Sequence, residues 1–153
     1  MIRFVEGDIF ASGCVALVNP VNCVGVMGAG LALEVRRRFP EACREYAEWC
    51  SKGALAPGGV VVGHRGEEAV PRWVLHAATK LHWRNPSRLS YTGQCLDTIA
   101  SVARVMRLRS VAVPMLGCGR GGLEWRRVQQ QVEAFLGDVE EVEWMVFGPD
   151  MGL

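Results

Sequence analysis

The sequence predicts an α/β fold in three layers, with helices on both faces of a central mixed sheet. Short apolar, strand-like runs alternate with segments of helical periodicity along the whole chain. Two of those runs, Val15 to Val18 and Val111 to Pro114, pass directly into glycine-rich loops and then into helices. A third, Gly58 to His64, turns through Arg65-Gly66-Glu67-Glu68 into a partner strand, Arg72 to Ala78, which makes the sheet mixed. In open sheets of this class, ligands bind outside the carboxyl ends of central strands.

Ile2 to Val5 reads as the first strand, turning at Gly7-Asp8-Ile9-Phe10. Val15 to Val18 is a short buried strand that enters the loop Asn19 to Leu31. From Ala29 to Phe39 the residues Leu31, Leu33, Val35 and Phe39 recur at helical spacing, with Arg36, Arg37 and Arg38 on the solvated face. Pro40 ends that helix and can start the next, Glu41 to Ser51, whose inner face is expected to hold Ala42, Tyr46, Trp49 and Cys50. After the hairpin comes a polar, cationic and aromatic loop, Thr79 to Arg88. Ser87 or Ser90 is expected to cap a long helix reaching about Arg107, with Leu96, Ile99, Ala100, Ala103 and Met106 inward. Val111 to Pro114 delivers the chain into the second glycine loop. Helix Glu124 to Leu136 follows, with Val128, Val132 and Phe135 inward, and Val142 to Phe147 is the last strand.

The chain has 153 residues, of which 50% are hydrophobic and 22% charged, the profile of one globular domain. A formal net charge of +1 gives no global attraction to nucleic acid or anionic lipid. No apolar run reaches membrane-spanning length and the N-terminus reads as a strand, so the expected compartment is the cytoplasm, with no membrane partner. Six cysteines show neither C-x-x-C nor a zinc-like spacing with histidine, so neither a metal site nor a disulfide is expected.

Gly117 to Gly122 holds four glycines in six positions. Glycine removes the Cβ that would keep a phosphate away from backbone N–H groups, and a tight turn is the alternative reading. Neither glycine loop is a P-loop, and no acidic residue stands where a dinucleotide fingerprint requires it. Asp8 can accept from an adenine amino group or cap a turn, and composition alone favours the cap. His76, in mid-strand, reads as a core histidine. Trp83 with Arg84 and Arg88 can stack a base and contact a phosphate, or Trp83 can simply pack on Pro86.

Lys80 is the sharpest single residue. The chain has seventeen basic residues and only Lys52 and Lys80 are lysine. Lysine, unlike arginine, can lose its proton and act as a nucleophile or base. An exposed surface cation explains the same residue.

Gly7-Asp8-Ile9, then Val18-Asn19-Pro20-Val21-Asn22 leading into Gly25-Val26-Met27-Gly28-Ala29-Gly30-Leu31-Ala32, then Pro114 to Leu123, together resemble a macrodomain, an ADP-ribose-binding domain. Within that family, Thr79-Lys80 and His82-Trp83-Arg84-Asn85-Pro86-Ser87-Arg88 resemble the branch that holds the DarG antitoxins and the terminal ADP-ribose glycohydrolase, and the DarG group is the closer likeness. The likeness implies a single macrodomain over 1–153, cut from the N-terminal part of a longer protein. It assigns Asp8 and Ile9 to adenine, and the backbone of Gly117, Cys118, Gly119, Arg120 and Gly121 to the diphosphate. Pro20, Val21, Asn22 and Leu31 go to the distal ribose, Thr79 and Lys80 to the anomeric carbon, with Lys80 catalytic. Protein-directed relatives place an aspartate where this chain has Gly121.

The implied activity is that of a DNA ADP-ribosyl glycohydrolase that removes ADP-ribose from thymidine in single-stranded DNA and reverses a DarT-type toxin. No cofactor is implied, since ADP-ribose belongs to the substrate, and a monomer is expected. Three other functions are open: a hydrolase of glutamate-linked ADP-ribose on proteins, a non-catalytic ADP-ribose reader, and a plain nucleotide- or RNA-binding module.

Overall fold

A computed structural model describes residues 1–152. Six strands and four α-helices alternate in the order β1 (Ile2–Phe4), β2 (Ala16–Val21), α1 (Gly30–Arg38), α2 (Arg44–Ser51), β3 (Val60–His64), β4 (Trp73–Ala78), α3 (Leu89–Met106), β5 (Ser110–Val113), α4 (Trp125–Leu136) and β6 (Glu143–Val146). They form one sheet with the strand order β1-β6-β5-β2-β4-β3. Every pairing is parallel except β3 against β4, the predicted hairpin.

Alternation along the strands divides the core into two layers. Ala16 and Val18 of β2, with Val111 and Val113 of β5, face α3 and α4 and meet Leu96, Ile99, Val128 and Val132. Leu17 and Val21 of β2, with Val74 and Ala78 of β4, face α1 and α2 and meet Val35, Ala42 and Tyr46. Both faces of the central strands are therefore buried, which is why their sequences read as continuous apolar runs. The chain forms the three-layer α/β/α fold that its alternation predicts.

Four local expectations are corrected. β2 continues to Val21, three residues past the expected end, because its register with β4 runs as far as Val21 opposite Ala78. Pro20 is tolerated there because β5 pairs only with Ala16 and Leu17, leaving the other edge of β2 unpaired at that point. Before α2, Pro40–Cys43 forms a 3-10 turn, so Ala42 and Trp49 do not share one continuous helical face. Trp49 is 46% exposed, while Ala42 and Tyr46 are buried. Neither serine caps α3. Arg88 is the N-cap residue and makes no side-chain cap bond, Ser90 lies inside the helix, and the Ser87 hydroxyl bonds Thr79 instead. Met106 and Phe135 are only partly buried at the edge of the core.

No helix among the described residues is long and apolar enough to cross a membrane. All six cysteines are free thiols.

Candidate functional site

Three loops meet at the carboxyl ends of β2, β4 and β5, and they enclose a cleft of about 520 Å³. That size suits a nucleotide-like ligand.

The first loop, from Val21 to Ala29, is organised by one side chain. Asn22 is buried, and its Nδ2 donates to the Val26 carbonyl at 2.8 Å. Its Oδ1 accepts from the N–H groups of Val24 at 3.0 Å and Val26 at 3.3 Å. The Tyr46 hydroxyl, buried below, donates to the Asn22 carbonyl at 2.8 Å and also reaches Asn22 Oδ1 at 3.2 Å. Most of the Asn22 amide is thus spent on holding the loop, and one N–H remains to meet a ligand. Tyr46 in turn stacks on His76, with ring centroids 5.2 Å apart. His76 Nε2 lies 2.7 Å from the Ala42 carbonyl, which can only accept, so Nε2 carries the proton and Nδ1 accepts from Asn19 Nδ2 at 3.1 Å. Burial pulls the His76 pKa down to about 4, so the ring is a neutral structural group.

The loop then enters α1. Its N-cap, Ala29, offers no side-chain bond, so the first N–H groups of the helix are left without a side-chain partner. Gly30, Leu31 and Ala32 line the cleft at that end. Uncapped donors at the positive end of a helix dipole suit an anionic or hydroxyl-rich ligand.

The second loop, Pro114 to Leu123, forms the opposite wall. Among the described residues, the N–H groups of Gly117, Gly119, Arg120 and Gly121 have no hydrogen-bond partner within the chain. The Cys118 N–H, by contrast, is used inside the turn, donating to the Met115 carbonyl at 3.2 Å. Gly117 has φ +72°, and a Cβ there would stand 2.7 Å from Leu123 Cδ1. At Gly121 a Cβ would collide with the Ser87 hydroxyl and the Gly117 carbonyl. No side chain fits at position 121, aspartate included, because Ser87 already fills the space.

The third loop carries Lys80. The Thr79 N–H donates to the Val21 carbonyl at 3.1 Å and the Cys23 N–H donates to the Leu81 carbonyl at 3.0 Å, which ties this loop to the first. The Ser87 N–H donates to the Gly121 carbonyl at 2.9 Å, which ties it to the second. Lys80 Nζ reaches the Trp83 carbonyl only at 3.5 Å. Desolvation, and then the Arg120 charge across the cleft, hold the Lys80 pKa below that of an ordinary lysine. His82 spends its Nδ1 accepting from the Arg84 N–H at 3.1 Å, which leaves it a loop-shaping role.

Of the residues singled out in the sequence, Pro20, Val21, Asn22 and Leu31 lie on one wall of the cleft. Gly117, Gly119, Arg120 and Gly121 lie on the other, and Thr79 and Lys80 close one side. Asp8, Ile9 and Cys118 are not among its lining residues. The Asp8 carboxylate accepts from the Phe10 N–H at 2.9 Å and caps a 3-10 turn, Ile9–Ala11. The Cys118 thiol points to the Leu116 carbonyl at 3.3 Å, and burial raises its pKa to about 11. Ser87 and Met115 line the cleft without having been singled out as ligand contacts. Ser87 precedes a helix, where a serine reads as a cap, and only the approach of the second loop reveals its other use. Among the described residues no group of three or more His, Cys, Asp or Glu side chains could hold a metal ion.

A family model for the Macro domain matches residues 18–132. A DNA ADP-ribosyl glycohydrolase from Thermus aquaticus is 42% identical over 149 residues, covering 97% of this chain and 41% of that protein. The chain thus spans about two fifths of the length of the curated relatives it matches. Among solved structures, the macrodomain of Mycobacterium tuberculosis DarG superposes with a TM-score of 0.93 at 39% identity, covering 98% of this chain and 99% of that one. Thermosipho africanus DarTG in complex with ADP-ribose superposes with a TM-score of 0.87 at 32% identity, covering 99% of this chain and 43% of that one. With the family model spanning most of the sheet and all three loops of the cleft, the chain belongs to the macrodomain family.

Proposed function

We propose that this chain is a DNA ADP-ribosyl glycohydrolase that removes ADP-ribose from thymidine in single-stranded DNA, acting as a monomer in the cytoplasm and reversing a DarT-type toxin. The observation that carries the reading is Lys80. A lysine with a depressed pKa stands at a cleft whose far wall offers four unpaired backbone N–H groups. Those groups suit the diphosphate, and the uncapped start of α1 with the spare Asn22 N–H suits the distal ribose. Such a pose brings the anomeric carbon beside Lys80. The names of the relatives at 42% and 39% identity support ADP-ribosylated DNA as the substrate. The lack of room for a carboxylate at Gly121 argues against the glutamate-linked alternative, where an acid–base partner would be needed.

In the proposed reaction the neutral amine of Lys80 attacks the anomeric carbon. A bond from Nζ to carbon forms, the bond from carbon to the base nitrogen breaks, and the proton that Nζ gives up on bonding passes to that nitrogen as the base leaves. Water then adds to the same carbon and releases the amine, so the net change is hydrolysis. Depressing the lysine pKa raises the fraction of amine able to attack near neutral pH.

The test is release of ADP-ribose from a single-stranded oligonucleotide modified at thymidine. Lys80→Ala is expected to lose roughly 100-fold or more in kcat, the range for removing a group that acts directly on the reacting bond. The wild-type rate is expected to rise with pH, with its midpoint below the ordinary lysine value of 10.5, because the reactive form is the deprotonated one. Equal rates for Lys80→Ala and wild type would sink the reading. ADP-ribose binding without turnover of any linked substrate would make the chain a reader.

A further inference from the structure

The outer lip of the cleft carries charge that the ADP-ribose site does not use. The cleft-framing segments 20–32, 79–88 and 114–123 contain no Asp or Glu, although the chain has sixteen acidic residues and a net charge of only +1. The same segments contain Lys80, Arg84, Arg88 and Arg120. None of these four forms an ion pair among the described residues, whereas Arg3, Arg37, Arg38, Arg65, Arg72 and Arg104 all do. Lys80 and Arg120 line the cleft, but Arg84 and Arg88 do not; they are exposed on its rim. The Arg84 guanidinium lies over the Trp83 ring, 4.7 Å from its centroid, and His82 tilts against the same ring at 5.3 Å. Trp83 nevertheless remains 46% exposed while also lining the cleft, so one stacked group spans the boundary between cleft and rim.

We infer that Trp83, Arg84 and Arg88 form a strand-binding lip that takes the nucleotides flanking the modified thymidine. This rests on the DNA glycohydrolase reading above. The occupant follows from charge and chemistry. An acid-free lip with unpaired arginines complements a phosphodiester backbone, and an aromatic ring stacked with a guanidinium is a sequence-tolerant platform for a base. An acidic peptide would satisfy the charge but leave the exposed ring without a planar partner.

The test compares Lys80→Ala, which keeps the substrate intact, with Lys80→Ala carrying Arg84→Ala and Arg88→Ala as well. Three ligands are titrated: free ADP-ribose, a single-stranded oligonucleotide of about twelve residues bearing one ADP-ribosylated thymidine, and a peptide with glutamate-linked ADP-ribose. Free ADP-ribose and the peptide are expected to bind both proteins within about twofold. The oligonucleotide is expected to bind the arginine-depleted protein about tenfold more weakly, with a salt dependence shallower by about one to two in log–log slope. Equal oligonucleotide affinity in the two proteins overturns the inference. So does an equal loss for all three ligands, which would place the arginines in the ADP-ribose site or in folding, and so does a matching loss for the peptide. Turnover of the same oligonucleotide by the protein with Lys80 intact is scored separately. Its absence, with arginine-dependent binding retained, would sink the glycohydrolase reading and leave the lip standing.

Discussion

The two glycine-rich loops share one sequence signature, a buried strand running into glycines and then a helix, yet they are held by opposite means. The loop after β2 is fastened from inside. Asn22 takes up the Val24 and Val26 backbone, Tyr46 holds Asn22, and the buried His76 packs beneath Tyr46. The loop after β5 has little side-chain fastening and works by lacking Cβ atoms, with four N–H groups left without a hydrogen-bond partner among the described residues. A glycine-rich connector can thus be a side-chain-braced clamp or a bare backbone nest, and the two fail differently. The clamp fails when a buried polar group is lost; the nest fails when an atom is added.

The sharpest way to break that contrast is Gly117→Ala. The positive φ and the approach of Leu123 Cδ1 combine strain with a clash, and a loss of about 2–4 kcal/mol in stability is expected in denaturant unfolding. ADP-ribose affinity should fall with it. A variant as stable as wild type would show that the nest adapts.

The clamp has a pH signature of comparable size. His76 keeps a folded-state pKa of about 4 against an ordinary value of 6.5. Between those values the unfolded chain binds a proton that the folded chain does not, so stability is complete above 6.5 and declines as pH falls towards 4. The full loss is about 3 kcal/mol, on the order of 1.4 kcal/mol per pKa unit. Chemical denaturation across that range measures it, and His76→Gln should flatten the profile.

Tyr46→Phe removes one buried hydroxyl that serves Asn22. It should cost about 1–2 kcal/mol, from a buried acceptor left without its donor, and weaken ADP-ribose binding a few-fold by calorimetry. Unchanged affinity would mean that Asn22 alone orders the first loop. Gly119→Ala should do least, under about 0.5 kcal/mol in the same unfolding measurement, because a Cβ there meets nothing within 4 Å and φ is not positive. A large effect at Gly119 with a small one at Gly117 would reverse the account of the nest.

Much of this was legible in the sequence. Periodicity locates every strand and α-helix, with ends displaced by up to three residues, and the scarcity of lysine makes Lys80 stand out. The errors have specific causes. Pro40 to Ser51 reads as one helix in the sequence, but Pro40–Cys43 forms a 3-10 turn whose period does not continue into α2. Asn19 and Pro20 signal a turn locally, while six consecutive register partners in β4 keep β2 extended to Val21.

What the sequence determined by itself is the fold class, the pair of glycine loops and the lysine between them, because periodicity, glycine tolerance and residue chemistry are local properties. Only the tertiary structure decided how the loops are joined. Ser87 leaves the helix it precedes to bond Thr79 and Gly121, Asn22 turns its amide inward to brace its own loop, and Arg120 comes to face Lys80. The Ser87–Gly121, Tyr46–Asn22 and Lys80–Arg120 pairs join segments tens of residues apart that meet at the ends of three parallel strands. A hydrogen bond or a charge interaction acts over a few ångströms of space, whatever the distance along the chain.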